Sequence, residues 1–96
     1  VSDDTDETER FLSLVADLQT KDPRLTSVQA ALVIAAEQDI AHDSRTFARV
    51  FGVAHALVLR ELNALVEMDD RLQVVKRDPR TLRTFYVLHE GIAEAK

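Results

Sequence analysis

Within "TFARVFGVAHALVLREL", Ala48, Gly52 and Val58 stand four and six residues apart, and that spacing leaves the chain few ways to fold. Ala48 is small enough to let a second helix approach closely, Gly52 accepts the left-handed backbone of a tight turn, and Val58 fills the space between the helices. Asp43 is placed to cap the first helix, a short one that buries Phe47, Ala48 and Phe51. The second is longer and carries Val58, Leu62 and Leu65 on one face until "EMDD" ends it. The spacing predicts a helix-turn-helix pair.

What flanks that pair is equally patterned. Phe11, Leu14, Val15 and Leu18 recur at helical spacing across residues 5–20, with Asp3, Asp4, Asp6 and Glu7 at the positive end of the helix dipole. Pro23 stops this helix, because proline disfavours the helical conformation at Asp22. "LTSVQ" then offers a capping box, Thr26 with Gln29, ahead of "AALVIAAEQ", which is apolar on nearly every face and predicts a central buried helix. Ile40 and Ala41 are expected in a very short strand. Two apolar runs, Leu72 to Arg77 and Arg83 to Leu88, face each other across "DPRTL" and predict a hairpin with Leu72, Val74, Phe85 and Val87 inward. "HEGIAEAK" reads as the start of another helix. The expectation is one domain over residues 1–96, mainly α with a small β-hairpin. It comprises an N-terminal helix (1–24), a winged helix-turn-helix core (25–88) and the beginning of a C-terminal helix (89–96).

Charge is unevenly placed. The chain carries −5 in all, yet Arg71, Lys76, Arg77, Arg80 and Arg83 with the single acid Asp78 give a local +4, leaving −9 elsewhere. The pattern is that of a local basic contact on a body that repels anions; the bland alternative is a solvated hairpin tip. The chain has no cysteine, which excludes disulfides and thiolate sites and fits a cytoplasmic location. Its longest apolar run, Ala30 to Ala36, is far too short to span a bilayer, and the acidic start is neither a signal nor a transit peptide. His42, His55 and His89 lack metal-ligand spacing, no glycine-rich phosphate loop exists, and no serine sits in a nucleophile elbow. Neither catalysis, a metal nor a cofactor is expected.

From "LTSVQAALVIAA" through "TFARVFGVAHALVLRELNAL" to "KRDPRTLRTFYVLHEG", about three-quarters of the chain resembles the MarR family of bacterial and archaeal transcriptional regulators. The most specific likeness is Asp78, Arg80 and Arg83, in the spacing of the family's wing; Leu25, Thr26 and Gln29 match the opening of its second helix. The resemblance implies a dimeric repressor bound to double-stranded DNA, many such proteins releasing DNA when a small-molecule effector binds. Arg80 would enter the minor groove and Asp78 would hold the wing's shape, with Lys76, Arg77 and Arg83 beside the phosphates. The recognition helix departs from the family: it opens "AHALVLREL" where serine is usual, and Ala54 cannot cap it. His55 and Arg60 are its hydrogen-bonding candidates, and Ala56 and Leu59 are suited to thymine methyls. Leu57 and Leu59 lie outside the core stripe, so the rival reading is a winged helix that binds a protein partner. The family dimerises through long C-terminal helices packed with the first helix. Here Phe11, Leu14, Val15 and Leu18 are the candidates for a homodimer contact.

Overall fold

The computed structural model describes residues 2–89, with side chains from residue 7. Four helices, α1 (Ser2–Lys21), α2 (Ser27–Glu37), α3 (Ser44–Phe51) and α4 (His55–Met68), precede a two-stranded antiparallel sheet of β1 (Leu72–Arg77) and β2 (Thr84–Leu88). None of the described helices is long and apolar enough to cross a membrane. The C-terminal helix expected from "HEGIAEAK" falls, beyond His89, outside the described residues.

Local chemistry sets most boundaries. Thr26 and Gln29 form the complete capping box at the start of α2, each side chain bonding the other's backbone N–H (3.1 and 3.0 Å). Asp43 caps α3 by accepting from the Thr46 N–H at 2.9 Å, and Gly52 ends it at φ 66°, in the left-handed region. Ala48 and Val58 are buried where α3 meets α4, as the spacing predicts. α1 stops at Lys21 before Asp22, whose buried carboxylate binds Arg24 (2.8 Å) and Arg71 (3.1 Å). Asp69 binds the same two arginines, closing a four-membered ring that ties the ends of α1 and α4 to the start of β1. Hydrogen bonds from Arg24, then Arg71, hold the Asp22 carboxyl well below the usual range despite its burial.

α2 supplies the centre of the core: Ala30 and Leu32 to Ala36 are all buried, against Val15, Phe47, Leu62, Leu65 and Tyr86. The apolar stripe of α1 serves this same core. Val15 is buried, Phe11, Leu14 and Leu18 pack against it, and Phe11 stacks on Phe51 with ring centroids 5.2 Å apart. The four residues expected at a homodimer contact thus face their own chain, and among the described residues the large apolar side chain that α1 turns outward is Leu12, 59% exposed.

The hairpin corrects the predicted inward face of β2. Leu72 pairs with Leu88 and Val74 with Tyr86. Residues directly opposite in an antiparallel ladder share a face, so inward Leu72 and Val74 require inward Leu88 and Tyr86. Tyr86 and Thr84 are indeed fully buried, whereas Val87 is exposed and Phe85 half-buried. A bulge between Val74 and Lys76 shifts the register toward the tip. β2 also docks on the segment before α3: the Tyr86 N–H donates to the His42 carbonyl (3.0 Å), and Phe85 bridges Asp43. That bridge replaces the short strand expected at Ile40 and Ala41, of which Ile40 is exposed.

Candidate functional site

Asp78 builds the hairpin tip. Its carboxylate accepts from the backbone N–H of Arg80 (2.9 Å) and Thr81 (3.4 Å). Its carbonyl accepts from the Leu82 N–H (2.7 Å), and its own N–H donates to the Arg83 carbonyl (2.9 Å). The Arg80 bond is the largest cause holding the Asp78 carboxyl below its ordinary range. Fixed in this way, the turn leaves the Arg80 side chain in solvent.

The other basic residues divide into two sets. Arg83, expected beside the phosphates, instead donates to both oxygens of Asp43 (Nε 2.9 Å, Nη2 3.3 Å) and lies over the Phe85 ring, 5.0 Å from its centroid. It joins the tip end of the hairpin to the cap of α3. Arg77 reaches across to α4, donating to Asn63 Oδ1 at 3.1 Å, and Lys76 Nζ lies over the same Phe85 ring, 5.7 Å from its centroid. Both remain exposed.

One buried hydroxyl gathers three elements. Ser44 Oγ, at the start of α3, accepts from the Thr84 N–H of β2 (2.9 Å) and shares a 2.7 Å hydrogen bond with His55 Nε2 at the start of α4. Burial, and then the charge of Arg45, lower the His55 pKa and favour the neutral ring. His55 therefore spends one ring nitrogen on the fold, not on an outward contact. Ala54 gives α4 no side-chain cap. Ala56 and Arg60 are exposed on α4, and Leu57 and Leu59 are half-buried.

Between α3, the start of α4 and β2 lies a concavity of about 430 Å³, lined by Arg45, Arg49, His55 and Arg83 together with Thr46 and Val53. Arg45 and Arg49 were not singled out by the sequence reading. The signal was present: they stand four apart in "SRTFARVF", one turn from each other, while Phe47 and Ala48 face the core. Among the described residues no carboxylate lies within ion-pair distance of Arg45, Arg49, Lys76, Arg77 or Arg80. These cations lie on α3 and the hairpin, two elements that both contact α4.

Comparisons with protein-family models, curated proteins and solved structures found no match for this chain.

Proposed function

We propose that the chain is a winged helix-turn-helix protein that binds double-stranded DNA, acting as a dimeric, cytoplasmic transcriptional repressor of the kind the MarR resemblance implies. α4 enters the major groove with Ala56, Leu59 and Arg60, while Arg45 and Arg49 meet phosphates on one side and Lys76, Arg77 and Arg80 meet the backbone and minor groove on the other. The observation that carries this reading is the pairing pattern of the arginines. Arg24, Arg71 and Arg83 are held by Asp22, Asp69 and Asp43, whereas the cations without a carboxylate partner among the described residues include those of α3 and the hairpin, both of which contact α4. An acidic chain thus keeps a local surface for phosphate.

The test is a fluorescence-anisotropy titration of the whole chain against a pool of genomic duplexes at several salt concentrations. Five phosphate contacts per protomer give a log–log slope of about −4.5 for each protomer bound. Binding that is absent at low salt, or independent of salt, would refute the reading. A second reading, a module that binds protein through α4, is favoured by the partial exposure of Leu57 and Leu59 and by the net charge of −5. It predicts that charged substitutions at these two leucines abolish capture of a partner and that the arginines are silent.

A further inference from the structure

The hairpin tip carries a residue in a conformation its side chain does not favour. Leu82 has φ 64°, in the left-handed region that glycine and asparagine enter readily and a leucine does not. It gains no burial in return, since 56% of it is exposed. The conformation is nevertheless firmly held: the Leu82 N–H donates to the Asp78 carbonyl (2.7 Å), and its carbonyl accepts from Thr84 Oγ1 (3.0 Å). Next to it the Asp78 carboxylate fixes Arg80 and Thr81, and the Arg83 N–H donates to Thr81 Oγ1 (3.2 Å). A strained backbone, held by hydrogen bonds on both sides, presents an apolar side chain to solvent two residues from an exposed arginine.

Resting on the DNA-binding reading above, we infer that Leu82 is a wedge that enters the minor groove beside Arg80 and partly unstacks one base step. The groove, about 6 Å wide, admits a hairpin tip only through a few side chains. Arg80 supplies the attraction to its negative potential. Leu82 supplies the branched apolar group that minor-groove proteins insert between bases to kink the duplex. Pyrimidine–purine steps unstack most easily, so the wedge gives preference for such a step at a position where no hydrogen bond reads the base. The rigid turn matters because a tip that yielded would leave the bases stacked.

The probe is a duplex of about 30 base pairs that the wild-type chain enriches from a random pool, end-labelled for energy transfer and carrying 2-aminopurine at candidate steps. Wild-type protein is expected to shorten the end-to-end distance and raise the 2-aminopurine emission. Leu82→Gly and Leu82→Asn both suit the left-handed backbone and remove the wedge. Each is expected to fold at least as well as wild type by thermal melting, to lose the bend and the emission rise, and to bind on the order of tenfold more weakly. Wild-type bending and affinity in both variants would overturn the wedge while leaving the DNA-binding reading intact; a wild-type chain that enriches no duplex at low salt overturns both. Vesicles with a large fraction of anionic phospholipid form the second arm. Leu82-dependent binding to these, with DNA binding unchanged by the substitutions, would assign the tip to a membrane surface and overturn the inference.

Discussion

Asp43 joins the hairpin to α3 by an ion pair, and replacing it gives a quantitative test of how the two are held. Its carboxylate caps α3 through the Thr46 N–H and hydroxyl (2.9 and 2.7 Å) and binds the Arg83 guanidinium at 2.9 Å. Burial opposes the charge, but Arg83 and the Thr46 bonds outweigh it and bring the pKa from 3.8 down to about 2. That fall corresponds to roughly 2 kcal/mol of preference for the ionised form in the folded state, to be discounted because water reaches the Arg83 side. Asp43→Asn keeps a capping oxygen and loses the charge, so it should cost about 1 kcal/mol. Asp43→Ala loses the cap as well and should cost about 2 kcal/mol. For a domain of this size these losses lower the melting temperature by roughly 4–8 °C and 8–16 °C.

The pH dependence supplies a second, independent check. A carboxyl whose folded pKa lies below its unfolded value stabilises the fold fully above the unfolded value, and this contribution fades as pH falls through the folded one. With 3.8 and about 2 as the two limits, about half of the charge-dependent gap between wild type and Asp43→Asn should be gone by pH 3. Urea unfolding followed by circular dichroism at pH 7 and pH 3 measures both gaps. An Asp43→Asn chain as stable as wild type at pH 7, or a gap undiminished at pH 3, would show that the Arg83 link does not hold the hairpin to α3.

Three further substitutions test other parts of the fold and site. Tyr86 is fully buried, and its hydroxyl has no hydrogen-bond partner among the described residues; Tyr86→Phe should be neutral or stabilise by up to about 1 kcal/mol in urea unfolding, and a clear loss would mean that the hydroxyl is satisfied. A Cβ at Gly52 would meet no atom within 4 Å, so Gly52→Ala should cost only the left-handed backbone penalty, about 1 kcal/mol, by thermal melting. The Arg45→Ala/Arg49→Ala double variant should melt like wild type yet lower the salt slope of DNA binding by about two; an unchanged slope removes α3 from the interface.

The elements legible in the sequence are those decided by neighbours in the chain. The Thr26–Gln29 box, the Asp43 cap and the Gly52 turn each act over three or four residues, and each is present where the pattern places it. The inward face of β2 was not legible in this way. It depends on the bulge after Val74 and on docking against His42 and Asp43, some forty residues away, and alternation within "TFYVL" is equally compatible with either face. Distance in sequence also explains Arg83. The family resemblance implies a phosphate contact for it, but its partner, Asp43, lies 40 residues earlier and is recognisable in the sequence only as a helix cap. The stripe on α1 was ambiguous because apolar helical spacing does not say whether the covering surface belongs to the same chain.

Net charge counts carboxylates without regard to what they face. Asp22, Asp43 and Asp69 bind arginines within the fold, while Asp78 turns its oxygens onto the hairpin backbone. These acids enter the −5 total but leave Arg45, Arg49 and Arg80 without a carboxylate partner among the described residues. The consequence for binding follows from screening. At physiological salt, charges farther away than about 8 Å contribute little, so an approaching polyanion responds to the nearest few side chains more than to the whole molecule. Raising salt should weaken attraction to the arginine surface and also reduce long-range repulsion from acids elsewhere. A binding slope shallower than the local arginines alone require, restored by neutralising exposed acids on α1 such as Glu9 and Asp17, would identify that opposing contribution.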